Sequence, residues 1–229
     1  MQPRLSVVIP IHNEAAFLPT ALPGLLEEMS RVGQEWELLL IENGSTDGTA
    51  ERARELLAGA DVTWTVVEMD SPDYGDALSH GMAIASGESI VMFDIDYYSG
   101  AFVTAALDAG ADVVIASKRA PGSDDRRTTF RRLGTWGFNL LLRTLLDSGV
   151  GDTHGMKVFR RSAIAQLLPD VVARKDLFDT ELVIRAERNG ASIVELPVVV
   201  EEQRDARSSY VSRVPRTVRG LLDMRRRLG

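Results

Sequence analysis

The sequence predicts an α/β fold in which helices cover both faces of a mainly parallel sheet. In the first half of the 229 residues, short runs rich in Val, Ile and Leu alternate with longer stretches of helical character. Continuous apolar strands are buried on both faces, and their alternation with helices is typical of a parallel, Rossmann-like sheet. Ligands bind at the carboxyl ends of the strands in sheets of this kind.

Five apolar runs predict the strands of this half, at residues 5–11, 38–41, 62–67, 90–93 and 113–116. Helices are expected between them, at residues 18–30, 47–57, 74–85 and 101–109. Pro19 suits a first helical turn, Asp47 or its neighbours suit a helix cap, and Gly87 suits a left-handed helix end.

After residue 116 the pattern changes and predicts a small mixed C-terminal part. We expect a basic loop at 118–132, a helix at 133–146, a strand at 155–159 and a helix starting near Asp179. Pro197 makes the next strand, at 192–200, an edge or bulged strand. No linker is evident, so residues 1–210 are predicted to form one domain.

Composition excludes several classes of protein. The chain has no cysteine, so it has no disulfide framework and no thiolate metal site. No secretory signal or membrane-length apolar run is found, and a cytoplasmic protein is expected. The formal net charge of −7 argues against general nucleic-acid binding. Residues 211–229 predict a basic amphipathic helix, which favours peripheral contact with the inner face of a membrane over packing on the core.

Two carboxylates, Asp94 and Asp96, follow the apolar run at 90–93. Carboxylates two residues apart on extended backbone point the same way, so both can bind one hard divalent ion such as Mg²⁺ or Mn²⁺. No glycine-rich phosphate loop follows the first strand, and the three histidines lack the spacing of a zinc site. A nucleotide would therefore be held in a different way from those two kinds of site.

The chain resembles the family-2 glycosyltransferases, and the resemblance rests on three motifs in order. They are Val8-Ile9-Pro10-Ile11-His12-Asn13-Glu14, Ile41-Glu42-Asn43-Gly44-Ser45-Thr46-Asp47-Gly48-Thr49 and Asp94-Ile95-Asp96. A second set resembles the polyprenyl-phosphate (dolichyl-phosphate) mannose and glucose synthases. It comprises Ser117-Lys118-Arg119, Arg131-Arg132 with Thr135 and Asn139, Gly151-Asp152-Thr153, Gly155 to Arg161, and Phe178 to Leu182.

The resemblance implies a GT-A fold and transfer of a hexose from a nucleotide sugar with inversion. It implies that the nucleotide sugar is bound by Pro10, His12, Glu14, Ile41, Asn43, Asp94 and Arg204, and the metal by Asp94 and Asp96. Asn43 stands where an aspartate is frequent, so GDP-mannose and UDP-glucose both remain candidate donors.

The acceptor depends on residues in the second half of the chain. The resemblance implies that Arg131, Arg132 and Thr135 bind an acceptor phosphate. Lys118 and Arg204 are candidate cations for the charge that grows on the leaving diphosphate. Asp179 and Glu181 are either a general base for an acceptor hydroxyl or acidic residues in the first turn of a helix.

Three classes of function follow. The first is a metal-dependent hexosyltransferase that acts on a polyprenyl phosphate, which needs no general base because the acceptor arrives as an anion. The second is a soluble family-2 enzyme that acts on a sugar or small-molecule hydroxyl, which does need a base. The third is a non-catalytic module that binds a nucleotide sugar, which is disfavoured while both Asp94 and Asp96 are present.

Overall fold

The computed structural model describes residues 4–125, 129–153, 155–200 and 210–228. Within these ranges, the strands run in chain order as follows: β1 Leu5–Ile11, β2 Trp36–Asn43, β3 Thr63–Met69, β4 Ser89–Met92, β5 Val113–Ser117, β6 Asp124–Asp125, β7 Lys157–Arg160, β8 Ile193–Pro197 and β9 Val199–Val200. The helices are α1 Leu18–Ser30, α2 Thr49–Leu57, α3 Tyr74–Ile84, α4 Gly100–Ala109, α5 Thr129–Leu146, α6 Arg161–Ile164, α7 Phe178–Arg188 and α8 Tyr210–Leu228.

Seven strands form one sheet in the order β3-β2-β1-β4-β7-β5-β8. Neighbouring strands are parallel except at β7, which runs antiparallel to both β4 and β5. The remaining strands, β6 and β9, form a separate parallel pair. The predicted mainly parallel sheet with helices on its faces is therefore confirmed, with one reversed strand inside it.

The apolar strand runs explain why this sheet lies at the centre. Every residue of β1 is buried, and two core clusters cover the two faces of the sheet. One cluster includes Leu22 and Phe102 from α1 and α4, and the other includes Leu78 and Leu182 from α3 and α7. Burial on both faces is what continuous Val, Ile and Leu runs require.

Several local predictions were wrong. The predicted loop at 118–132 contains β6 and the first turn of α5. The predicted strand at 192–200 is divided into β8 and β9, although β8 does lie at the sheet edge as Pro197 predicted. The N-cap position of α2 is Gly48, although Asp47 Oδ1 does accept from the backbone N–H of Thr49, the first residue of the helix. Gly87 does not have a positive φ; a side chain there would collide with the backbone of Leu5 and Ser6.

The C-terminal helix packs on the rest of the protein. Leu221 and Met224 of α8 are fully buried in a third cluster with Leu142 and Leu146 of α5 and Ile184 of α7. The apolar side of α8 therefore packs on the core. Packing on the core was the alternative to the predicted membrane contact. Among the described helices, none is both long enough and apolar enough for a bilayer crossing.

Candidate active site at the carboxyl edge of the sheet

The first two strands bring the predicted nucleotide-sugar residues together. Pro10 of β1 lies opposite Ile41 of β2 in the parallel register, and Asn43 ends β2. Ile41 is fully buried, and its side chain faces Gly81 of α3. Pro10 and Ile41 thus lie at the same level of the sheet, just below the strand ends, while His12 and Asn43 lie at the edge itself.

A hydrogen-bond network fixes the orientation of His12. The backbone N–H of Thr46 donates to Asn13 Oδ1 at 2.9 Å, so Asn13 presents its Nδ2 donor to His12 Nε2 at 3.0 Å. His12 Nδ1 therefore carries the proton and donates to the carbonyl oxygen of Asn43 at 2.8 Å. This network connects the segment that follows β1 with the end of β2 and the segment after it.

Glu14 and Asn43 are both buried, and each forms a hydrogen bond with a residue at a neighbouring helix start. The backbone N–H of Glu14 donates to Thr49 Oγ1 at 2.8 Å, at the start of α2. Asn43 Oδ1 accepts from the backbone N–H of Asp73 at 2.7 Å. The amide oxygen of the Asn43 side chain therefore stabilises the segment before α3.

The candidate metal-binding pair follows β4. It lies in a turn and not on the predicted extended backbone, because the backbone N–H of Tyr97 donates to the carbonyl oxygen of Asp94 at 3.0 Å. Phe93 N–H donates to the carbonyl oxygen of Val8, which carries the β1–β4 pairing past the end of the strand and places Asp94 beside the end of β1. Tyr74 Oη donates to Asp94 Oδ1 at 2.9 Å. Burial raises the pKa of the Asp94 carboxyl, and the charges of Asp96 and Asp179 raise it further against the opposing effects of Tyr74 and Lys157. Negative charge is concentrated here, and a cation would relieve it.

A buried ion pair lies behind these carboxylates. Lys157 of β7 is fully buried, and its Nζ donates to Asp179 Oδ2 at 2.7 Å and to the carbonyl oxygen of Gly155 at 2.9 Å. The other carboxylate oxygen of Asp179 accepts from the backbone N–H of Thr180. The predicted base is thus bound to a cation, and Lys157 is a site residue that the sequence analysis missed.

Lys118 lies at the end of β5 beside a second buried carboxylate. Its Nζ is 3.9 Å from Asp152 Oδ2, and the same oxygen accepts from the backbone N–H of Lys118. Gly155, with φ of +102°, passes close to Lys118 Nζ and the ring of Tyr97. The positive φ favours glycine at this position. Asp152 therefore positions Lys118 at the edge where β4 and β5 end.

Glu181 is fully buried but is engaged in structural contacts. Its Oε1 accepts from Arg185 at 2.8 and 3.0 Å, and its Oε2 accepts from the backbone N–H of Ala173 at 2.7 Å and from Arg227 at 3.3 Å. These contacts join α7, α8 and the segment before α7. We propose a structural role for Glu181 in place of the predicted catalytic one.

The predicted acceptor residues Arg131, Arg132 and Thr135 lie in the first two turns of α5. The described part of the structure does not include their side chains. Arg204 lies outside the described residues. The sites predicted for these four residues therefore stay predictions.

Asn139, on the same helix, has a buried side-chain amide that is unfavourable for folding. Its side chain is buried, and both amide atoms lack a hydrogen-bond partner within the described part of the chain. We expect Asn139→Leu to raise the free energy of unfolding by about 1 kcal/mol, because a buried unpaired amide is replaced by an apolar side chain of similar shape. Urea unfolding measures this change.

Thr180→Val is the matched control, since the buried Thr180 hydroxyl has a partner in Thr153 Oγ1 at 2.9 Å. It should lower the free energy of unfolding by about 1 kcal/mol. A destabilised Asn139→Leu variant would mean that the amide is hydrogen-bonded in the native protein.

A separate cavity of about 470 Å³ lies between residues 172–177 and α8. Two of its lining arginines, Arg216 and Arg227, form ion pairs with Asp176 and Glu181. Neither Asp94 nor Asp96 borders this cavity, so it is distinct from the strand-end site.

The fold is thus a mainly parallel α/β sheet with two carboxylates, Asp94 and Asp96, after a strand at its carboxyl edge. Residues 6–168 match the family model described as Glycosyl transferase family 2. Because this match covers more than half of the chain, the protein belongs to glycosyl transferase family 2.

Curated relatives cover most of the chain. Polyprenol monophosphomannose synthase of Mycolicibacterium smegmatis is 31% identical over 211 residues, which are 87% of this chain and 78% of that protein. An uncharacterized glycosyltransferase of Mycobacterium bovis is 31% identical over 223 residues, which are 96% and 95% of the two chains. Glycosyltransferase AglD of Haloferax volcanii is 28% identical over 90% of this chain, which spans 34% of that relative's length.

Solved structures share the GT-A fold. Glucosyl-3-phosphoglycerate synthase of Mycobacterium tuberculosis, solved with UDP, has a TM-score of 0.69 at 19% identity over 97% of this chain and 80% of its own. The mannosyltransferase PcManGT of Pyrobaculum calidifontis, solved with GDP-Man and Mn²⁺, has a TM-score of 0.64 at 22% identity over 94% of this chain and 61% of its own. The predicted fold is thereby confirmed.

Proposed function

We propose that this glycosyltransferase moves a hexose from a nucleotide sugar to a polyprenyl phosphate, with inversion and with the help of Mg²⁺ or Mn²⁺. The observation that carries the choice of acceptor is the pairing of three buried carboxylates in the second half of the chain with cations. Asp152, Asp179 and Glu181 each lie within 4.0 Å of a cationic side chain, at 3.9, 2.7 and 2.8 Å.

An acceptor hydroxyl needs a carboxylate oxygen that can accept its proton, and both oxygens of Asp179 already accept hydrogen bonds, from Lys157 Nζ and from the backbone N–H of Thr180. The ion pair between Asp179 and Lys157 therefore argues against Asp179 as the base. A phosphate monoester loses its second proton near pH ~6 and can attack as an anion. The names of two proteins support the proposal: one relative is a polyprenol monophosphomannose synthase, and one structural neighbour holds GDP-Man.

The residues at the end of β4 fit a divalent ion. Asp94 and Asp96 supply hard oxygen ligands, and the raised pKa of Asp94 reflects negative charge in a poorly hydrated place. In the described ranges no three acidic or histidine side chains are grouped closely enough to hold an ion unaided. The diphosphate of the donor would supply further ligands, so we expect metal and nucleotide to bind together.

The bound ion would offset the negative charge that develops on the leaving nucleoside diphosphate. Lys118, at the neighbouring strand end, adds a cation held in place by Asp152. We propose the same electrostatic role for Arg204. The bond between the anomeric carbon and the diphosphate oxygen breaks, its electron pair leaves with the diphosphate, and a phosphate oxygen of the acceptor forms the new bond from the opposite face.

The proposed acceptor-phosphate residues stand at a helix N-terminus. Arg131 and Arg132 occupy the first turn of the 18-residue helix α5, and Thr135 follows one turn later. Free N–H groups and the helix dipole favour an anion at such a place, and adjacent arginines would strengthen its binding. GDP-mannose and UDP-glucose are the two donor types that we propose.

A pair of acceptors that differ by one group tests this proposal. With GDP-mannose or UDP-glucose and Mn²⁺, we expect hexose transfer to farnesyl phosphate but not to farnesol, and no transfer when the metal is chelated. Mass spectrometry of the products gives the answer. Equal transfer to farnesol would overturn the phosphate acceptor, and undiminished transfer in a chelator would overturn the role of the metal.

Membrane contact and the cytoplasmic location stay predictions. Since Leu221 and Met224 pack on the core, such contact would use other residues of α8, such as the exposed Leu222, which lies three residues after the exposed Arg219. Arginines beside exposed apolar side chains are typical of helices that lie on anionic lipid.

A further inference from the structure

Tyr74 contacts Asp94 of the candidate metal-binding pair, and the sequence analysis predicted no role for it. It is the first residue of α3, and its hydroxyl donates to Asp94 Oδ1 at 2.9 Å. Tyr74 comes from a different element than the two aspartates, so its contact depends on how α3 is anchored.

The anchor is Asp73, the N-cap of α3. Its Oδ1 accepts from the backbone N–H groups of Gly75, Asp76 and Lys175, at 2.9, 3.2 and 3.0 Å. Its own backbone N–H donates to Asn43 Oδ1 at 2.7 Å. A capping aspartate with three donors fixes the direction in which the helix starts.

Close packing next to Tyr74 holds it further. A Cβ on Gly75 would lie 2.8 Å from the backbone nitrogen of Lys175, so only glycine allows the segment before α7 to approach this closely. Two hydrogen bonds and one peptide bond therefore connect the end of β2 to the end of β4, through Asn43, Asp73, Tyr74 and Asp94.

We propose that Tyr74 is a positioning residue that holds Asp94 ready to bind the metal–nucleotide complex. A carboxylate fixed before the ligand arrives loses less side-chain freedom on binding. The Tyr74 hydroxyl is also a neutral hydrogen-bond donor. A lysine or arginine in the same place would orient Asp94 but would cancel the negative charge that attracts the metal ion. The proposal rests on the metal-dependent function proposed above.

Tyr74→Phe tests it, because phenylalanine keeps the ring that packs on the core and removes the hydroxyl. Free Mn²⁺ is measured by electron paramagnetic resonance with saturating GDP, and with UDP in a parallel series. We expect Mn²⁺ affinity to fall about tenfold, the scale of a hydrogen bond to a charged group. Nucleotide binding without metal should be unchanged.

Tyr98→Phe is the matched control, since its hydroxyl donates to the carbonyl oxygen of Ala21, away from the pair. It should bind Mn²⁺ as the wild type does. Wild-type affinity in Tyr74→Phe would overturn the positioning role alone, as would failure of that variant to fold. Absence of Mn²⁺ uptake by the wild-type protein would overturn the proposed metal dependence as well.

Discussion

Asp94→Asn should reduce kcat/KM for hexose transfer by about 10³-fold, which is the effect of losing one group that stabilises transition-state charge. Asn keeps the shape of Asp94 and can still accept from Tyr74, but it supplies no charge to a divalent ion. Steady-state kinetics with a fixed donor and saturating Mn²⁺ measure the loss.

The same variant should be at least as stable as the wild type. The pKa of Asp94 is raised in the folded protein by burial and by the nearby carboxylates. A carboxyl whose folded pKa lies above its unfolded value stabilises the fold at low pH, and this contribution is lost as the pH rises through the folded pKa. At neutral pH the charge therefore opposes folding, and its removal relieves the repulsion.

A melting temperature well below that of the wild type would contradict this account, because the lost activity could then reflect unfolding. Retained activity together with wild-type stability would remove Asp94 from the metal site. The comparison of activity with stability thus distinguishes a functional carboxylate from a structural one.

The centre of the sheet could be predicted because three of its strands contain continuous apolar runs. The runs that became β1, β2 and β4 are buried on both faces, so their composition carries the information. Asn43 ends β2 and Asp94 follows β4. Because these strands are parallel, both residues are expected at the same edge of the sheet. The relative direction of Asp94 and Asp96 could not be predicted in this way, because residues 94–97 form a turn and not extended backbone.

The reversed strand β7 could not be predicted in the same way. Periodicity identifies a strand but does not give its direction, which is set by the path of the chain between strands. Lys157 was missed for a related reason: its partner Asp179 is 22 residues away and comes from α7. A lysine within the otherwise apolar run 156–159 was the available signal, since lysine is rarely buried unless it is paired.

Tyr74 illustrates a third limit. Its hydroxyl reaches Asp94 because Asp73 caps α3 and also accepts from the backbone of Lys175, about a hundred residues later in the chain. Contacts of this kind depend on the packing of one helix start against a distant turn. A motif read along the sequence contains the residues of such a contact but not the contact itself.

Lys157→Met should be the most destabilising of the substitutions considered. It leaves the buried carboxylate of Asp179 without its cation, and breaking a buried pair costs about 3–5 kcal/mol. At roughly 2–4 °C per kcal/mol for a chain of this size, the melting temperature should fall by roughly 6–20 °C. Calorimetry or circular dichroism measures the shift. Asp179→Asn disturbs the same pair, so on its own it does not isolate a role for Asp179 as a base.

Two further variants show whether the pair or the packing is responsible. The double variant Lys157→Met/Asp179→Leu removes both charges, and its stability should return to within about 1 kcal/mol of the wild type. Arg160→Met, on the same strand, breaks the exposed pair between Arg160 and Asp112 and should cost about 1 kcal/mol or less. A double variant as unstable as Lys157→Met would show that the lysine stem, rather than its charge, supports the core. If instead the double variant folds well and still transfers hexose to a phosphate acceptor, Asp179 is not the base, and the chemistry rests on the metal pair and the acceptor's own charge.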